Sequence, residues 1–516
     1  MVFRRLFVVF LCCYSILCNA QSQDSSFFLH TVEQGQTVYS ISNMYKISID
    51  AINKLNPGSE SGIQIGHQLK IPQESGSYFY HTIQPKETLY SVSRQYQMKG
   101  EDILSVNQGL SVESFSIGRI IRIPTNKVTT PMEGTNEVYN MSATNALLQA
   151  ASPTNNINTI RAALLLPFGL KEGTSPQNAA NNRMVEYYEG FLLALEEVKK
   201  KGISVDLQVY DIGSDVNALQ SIFQKPAMQT VNLIIGGLSD KQIKQIATFA
   251  EEKKIPYVIP LSPRSDEPLN NHYVYQINTP QSYLYSKASV AFSNQYKNAN
   301  IIFYVPNADG NKMDFVEMLQ KDLKAKYMSY KVIGTSNDLA AEMRGALLES
   351  TNNVLILADD RAETLLKLIT PLKGILDVRP QLSVSLFGYP AWQTYATDYA
   401  DDFFRLNVSF FSVFYANPTS PKVKAFNNLY HRWYSRELIN IFPKYGILGY
   451  DTGLYFIQNL QQYGTSFDTN PNRLNYKGVQ MDFHFERANN WGGFINTNAY
   501  WVEFNPNFTI TSKNIN

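Results

Sequence analysis

Cysteine is nearly absent from this 516-residue chain, and Cys12, Cys13 and Cys18 are the only three. Beyond residue 18 there can be no disulfide framework, no thiolate nucleophile and no cysteine metal site. Histidine is also scarce, and the six that occur (His30, His67, His81, His272, His431, His484) lack metal-ligand spacing such as H-E-x-x-H. No G-x-S-x-G or S-x-x-K element stands in a strand-turn-helix context. Carboxylates are plentiful, but nothing selects two of them as a glycosidase pair. An excess of either charge is missing as well: 45 Lys and Arg stand against 44 Asp and Glu. That balance argues against nucleic acid or an acidic surface as partner. Neither a cofactor nor a metal is expected, and enzymatic activity is disfavoured.

Long apolar runs are lacking too. The longest, Leu6 to Leu17, follows Arg4-Arg5 and leads to Ala20 before Gln21. This is the pattern of a secretory signal peptide over 1–20, and it falls short of the ~20 apolar residues of a membrane span. Bulky Ile16 and Leu17 disfavour lipidation at Cys18. No transmembrane segment is expected after signal cleavage.

What the chain does contain is a repeat. His30-Thr31-Val32-Glu33-Gln34-Gly35-Gln36-Thr37-Val38-Tyr39-Ser40-Ile41-Ser42 returns 51 residues later as His81 to Ser93, and Tyr45 and Asn56 answer Tyr96 and Asn107 at the same offset. After one inserted residue, Gly66 answers Gly118 and Ile71-Pro72 answers Ile123-Pro124. A fixed period marks a repeated supersecondary unit. Each copy reads as strand, helix, helix, strand. Thr37 or Thr88 is placed to cap the first helix, and Val38, Ile41 and Tyr45 (Leu89, Val92 and Tyr96 in the second copy) form its buried face.

Both copies, spanning 28–73 and 79–125, resemble LysM modules, which recognise N-acetylglucosamine-containing glycans such as peptidoglycan. The first carries V-x-x-G-Q-T-V-Y-S-I, Leu55-Asn56-Pro57 and Ile65-Gly66-x-x-Leu69-x-Ile71-Pro72. The second departs at Lys86, which replaces the turn glycine, and at Gln108, which replaces the proline. The resemblance implies a shallow sugar groove with Gly35, Gln36 and Thr37 opposite Ile63, Gln64 and Ile65. In the second copy Glu87 and Thr88 would lie opposite Ser116 and Ile117.

Residues 126–158 turn to Thr, Asn, Ser, Pro and Met without sustained periodicity and are expected to form a flexible linker, with a helical turn or two from Asn145 to Ala151. From 159 to 516 strands and helices alternate, as in Ile160 to Leu166, Met184 to Lys200 and Leu233 to Ile235. Repeated beta-alpha-beta units predict α/β lobes with parallel sheets flanked by helices, two of them with a cleft between. Strands are expected near the end at Val479 to Phe485 and Ala499 to Phe504.

Tyr188-Glu189-Gly190-Phe191, Val209-Tyr210-Asp211, Ile234-Ile235-Gly236-Gly237-Leu238-Ser239, Ile255 to Pro260 and Gly449-Tyr450-Asp451-Thr452-Gly453 occur in that order. In this order they resemble the type I periplasmic-binding-protein fold, particularly the branched-chain amino-acid binders of ABC importers. Ligands of open parallel sheets bind beyond the carboxyl ends of the strands. The resemblance gives Ser239, Ser262 and Ser265 the role of holding a ligand carboxylate, with Tyr304, Asn307, Asp359 and Tyr389 offered by the second lobe. Arg264 departs from the small residues usual in that loop, and its guanidinium suits an anion. The expected protein is a secreted, non-catalytic component of a bacterial periplasm or cell envelope. It would bind peptidoglycan through the modules and a small amino-acid-like ligand through the larger domain. Two alternatives remain: a domain that binds a peptidoglycan-synthesis protein, as the similar fold in lipoprotein activators of synthases does, and a wall hydrolase, which is disfavoured.

Overall fold

The computed structural model describes residues 27–33, 35–73, 77–125, 141–149, 159–169, 179–213, 217–307, 310–334, 336, 338–464, 471–474 and 476–515. The expected signal peptide, Cys18 and most of the linker lie outside the described residues. Among the described residues no helix is long and apolar enough to cross a membrane.

Each repeat folds as the sequence predicts. Strands β1 (Phe27–Thr31) and β2 (Gln68–Pro72) pair antiparallel around helices Val38–Tyr45 and Ile49–Leu55. Strands β3 (Tyr78–Thr82) and β4 (Ile120–Pro124) do the same around Leu89–Gln95 and Gly100–Ser105. Asn56 and Asn107 recur for one reason: each side chain bridges the second helix to the last strand. Asn56 Nδ2 donates to Ile52 O and Lys70 O, and Asn107 Nδ2 to Ile103 O and Arg122 O. Lys86 adopts the left-handed φ of +71° that Gly35 takes at +79°, so the glycine-free turn keeps its shape at about 1–2 kcal/mol of backbone strain.

The linker is not structureless throughout. Met141–Gln149 is a helix, and Leu148 packs against the core of the second module beside Leu89 and Val92. The apolar positions of this segment have a surface to cover, which composition alone does not reveal.

The first lobe is built on β5 (Thr159–Leu166), β6 (Ser204–Asp211), β7 (Leu233–Gly236), β8 (Tyr257–Ile259) and β9 (Val274–Gln276). The second is built on β10 (Asn300–Tyr304), β11 (Tyr330–Ile333), β12 (Asn353–Leu357), β13 (Val384–Gly388) and β14 (Ser409–Ser412). The parallel parts run β6-β5-β7-β8-β9 and β11-β10-β12-β13-β14, the same doubly wound order twice. Strands β15 (Phe485–Arg487) and β16 (Phe494–Asn496) then return to the first sheet, and β17 (Tyr500–Asn505) and β18 (Thr509–Asn514) to the second. The chain therefore crosses between the lobes after β9, after β14 and after β16. Buried amides lace the crossings together: Asn496 Nδ2 donates to Ile277 O, Asn498 Nδ2 to Val413 O, and the Thr279 hydroxyl to Asn496 O.

The strand expected at Val479 to Phe485 is an exception, since only Phe485–Arg487 is strand. The buried Asp451 carboxylate accepts the amide hydrogens of Val479, Gln480 and Met481 at 2.8, 3.0 and 3.2 Å. Those donors are no longer available to a ladder.

Candidate glycan groove and the cavity beside it

In each module two backbone bonds bring the predicted groove loops together. Val32 N donates to His67 O and Gly66 N to Val32 O, while Ile83 N donates to Arg119 O and Gly118 N to Ile83 O, all at 2.8 Å. Residues 35–37 thereby stand beside 63–65, and 87–88 beside 116–117.

Not every predicted groove side chain faces that groove. Gln36 Oε1 accepts from Glu33 N at 2.9 Å and from His30 Nε2 at 2.7 Å, and His30 Nδ1 meets the Tyr45 hydroxyl at 2.7 Å. An amide oxygen only accepts, so Nε2 carries the proton and Nδ1 accepts from Tyr45. Burial pulls the His30 pKa below its ordinary value, opposed by the Gln36 bond. The second copy repeats the triad with Glu87, His81 and Tyr96: Glu87 Oε2 lies 2.7 Å from His81 Nε2 and from Gln84 N. Gln36 and Glu87 thus brace their turns from within. Thr37 and Thr88 form reciprocal capping boxes with Ser40 and Ser91. What remains toward solvent is an apolar point in each groove, Ile65 at 53% exposure and Ile117 at 68%, flanked by exposed Gln64 and Ser116 with Ile63 half-buried.

The turn of module 1 abuts the first lobe. A Cβ on Gly35 would lie 2.6 Å from the Tyr283 ring. Asn43 Nδ2 donates to Asp266 Oδ2 at 2.7 Å, Asn270 Nδ2 to Asn43 O at 3.2 Å, and Lys321 of the second lobe to Gln64. The loop between β15 and β16 inserts Trp491, 4% exposed, between the modules. Its ring lies 6.1 Å from Tyr45 and 5.7 Å from Tyr80, and Arg122 stacks 4.4 Å above it. Asn490 fixes this loop, accepting from Gly109 N at its carbonyl and donating to Ile120 O through its side chain. Asn43, Tyr283, Asn490 and Trp491 follow no periodicity, and the scarcity of tryptophan (four in the chain) was the only hint of one of them. Two cavities flank Tyr283. One of about 530 Å³ runs past Glu33, Arg119, Lys287 and Glu486, and one of about 590 Å³ has Gly35, Thr37 and Tyr39 on one wall and Lys244, Arg264 and Ser265 on the other.

The ligand candidates of the larger domain divide. Ser239 caps the helix Asp240–Lys253, Ser262 Oγ accepts from Arg264 N and Ser265 Oγ from Glu267 N. Each hydroxyl accepts in these bonds and keeps its hydrogen to donate. Arg264 and Asn307 are exposed. Tyr304, Asp359 and Tyr389 are not open to a ligand in this arrangement: Tyr304 is buried against Gly334, Asp359 is paired with Arg361, and the Tyr389 hydroxyl donates to Leu357 O at 2.5 Å. Sequence places all three at strand ends, but packing turns them inward. Among the described residues no three His, Cys, Asp or Glu side chains gather to hold a metal.

The LysM domain family matches residues 30–72 and 81–124. A Bacillus subtilis (strain 168) protein, provisionally named sporulation-specific glycosylase YdhD, is 31% identical over 97 residues, 19% of this chain and 22% of that one. The match thus spans about a fifth of that relative's length. Among solved structures, an ABC transporter substrate-binding protein from Desulfitobacterium hafniense in complex with Leu aligns over 69% of this chain and 100% of its own, at 13% identity and a TM-score of 0.42. The branched-chain amino acid transporter substrate-binding protein LivJ from Streptococcus pneumoniae, in complex with isoleucine, aligns over 69% and 99%, at 14% identity and a TM-score of 0.40. The two-lobed assignment rests on the repeated strand order rather than on these likenesses. The chain carries two LysM domains, followed by a two-lobed α/β domain of the type I periplasmic-binding-protein fold.

Proposed function

We propose that this protein is a non-catalytic, extracytoplasmic binder of peptidoglycan, and that its two-lobed domain takes an amino-acid-like ligand while the LysM domains keep it at the wall. The observation that carries the glycan reading is the repeated exposed isoleucine, Ile65 and Ile117, held beside a capped turn in both grooves. Sugar rings present C–H faces that an apolar side chain covers, while backbone groups of the adjoining turn serve the hydroxyls. The full-length chain is expected to sediment with purified peptidoglycan sacculi, and Ile65→Asp with Ile117→Asp to release it. Both sites are surface positions where substitution costs about 0.5 kcal/mol or less of stability. Sedimentation unchanged by the double variant would refute the groove assignment.

Ser239, Ser262 and Ser265, with hydrogens left to donate, support a carboxylate ligand at the first lobe. A ligand at a hundredfold excess over its dissociation constant stabilises the folded form by about 2.7 kcal/mol, visible in a melting curve. The inward-turned Asp359 and Tyr389 favour a second reading, in which the domain binds a protein such as a peptidoglycan synthase. That reading takes over if no amino acid or short wall peptide shifts the melt.

A further inference from the structure

The cavity of about 590 Å³ belongs to neither fold alone. Its module wall is Gly35, Thr37 and Tyr39, the groove turn and the start of the first helix. Its lobe wall holds Lys244, Arg264 and Ser265, from the loop after β8 and the helix after β7. We propose that this is a site for a glycan that carries a peptide: the sugar lies in the groove of module 1, and its peptide substituent enters the cavity with a carboxylate between Lys244 and Arg264. The proposal rests on the glycan reading above and extends it to the substituent.

Size, charge and spacing support it. The volume falls within the roughly 300–1,000 Å³ of small-molecule sites. Lys244 and Arg264 are both exposed, and among the described residues neither side chain makes a hydrogen bond or ion pair. Asp240 and Glu267 line the same cavity, so it offers both signs of charge and suits a peptide with amine and carboxylate better than a simple anion. Tyr39, 59% exposed, presents an aromatic face at the sugar end. The two half-sites are held at fixed separation by the contact of Gly35 with Tyr283 and the bonds of Asn43 to Asp266 and Gln64 to Lys321. A ligand engaging both gains from raised effective concentration. The matching turn of module 2, Lys86 to Thr88, lines neither cavity, so discrimination of the peptide belongs to module 1.

The test is calorimetric titration of the full-length protein with a peptidoglycan-derived tetrasaccharide bearing its stem peptides, and with the same tetrasaccharide stripped of peptide by an amidase. The peptide-bearing glycan is expected to bind about tenfold more tightly or better, the size of effect one added contact of 1.4 kcal/mol gives. In the Lys244→Ala/Arg264→Ala variant the ratio of the two dissociation constants should fall to within about twofold. A ratio near one in the wild type, or a tenfold ratio that survives the double substitution, overturns this inference alone. Failure of the stripped glycan to bind at all overturns the glycan reading and this inference with it.

Discussion

Replacing Trp491 by Ala tests whether the modules and the first lobe are one packed body. The indole is 4% exposed and touches Tyr45 of one module, Tyr80 of the other and Arg122, so it belongs to three units at once. Removing a side chain that buries about 200 Å² forfeits about 5 kcal/mol at 25 cal/mol per Å². Measured Trp to Ala changes in cores run about 3–5 kcal/mol. Arg122 would also lose the ring beneath its guanidinium, worth about 0.5–2 kcal/mol. The two modules together are about the size of one 100-residue domain, for which 1 kcal/mol shifts the melting temperature by about 4–8 °C. Even the lowest figure, 3 kcal/mol, therefore predicts that the modules of the variant melt about 12 °C or more before the wild type's. Differential scanning calorimetry reads the shift directly, and small-angle scattering of the folded variant should show a larger radius of gyration as the modules swing free. A melt and a scattering profile unchanged by Trp491→Ala would refute the packing argument and leave the modules as tethered beads.

Gly35→Ala should undock module 1, because the new methyl meets the Tyr283 ring and the left-handed φ of +79° strains any L side chain. In a double-mutant cycle by thermal melting, adding Tyr283→Ala should relieve the clash but not the backbone strain, so full additivity would disprove the contact. For pH, His30 has a lowered pKa in the folded chain, so as pH falls below about 6.5 the unfolded chain takes up its proton first and module 1 loses stability down to the folded pKa. Gln36→Glu would copy the Glu87 to His81 pair of module 2 and should raise the His30 pKa and lessen that acid loss. Proton NMR of the imidazole checks the shift, and an unmoved titration would show that Gln36 does not govern the ring.

The sequence by itself determined the two small modules, because a repeat exposes its own logic: whatever recurs at one offset serves the unit. His30 with Tyr45 and His81 with Tyr96, Asn56 with Asn107, and the capping threonines are bonded alike in both copies. It also determined the alternation that yields parallel sheets, since buried strands read as continuous apolar runs. The reason for Gly190 and Gly449 was not readable. Only the structure shows helices Ala179–Lys200 and Tyr445–Tyr463 approaching so closely that a Cβ on Gly190 would meet Gly446 O at 1.7 Å and one on Gly449 the carbonyl of Tyr187 at 2.0 Å. Tertiary structure alone decided which strand-end residues look into open space and which are packed away, as Tyr389 and Asp359 are, because side-chain direction there depends on neighbours distant in sequence. It alone placed the modules on the lobe. The Trp491 loop and the Tyr283 ring lie hundreds of residues from the turns they meet, and no local pattern encodes a contact whose two sides belong to different folding units.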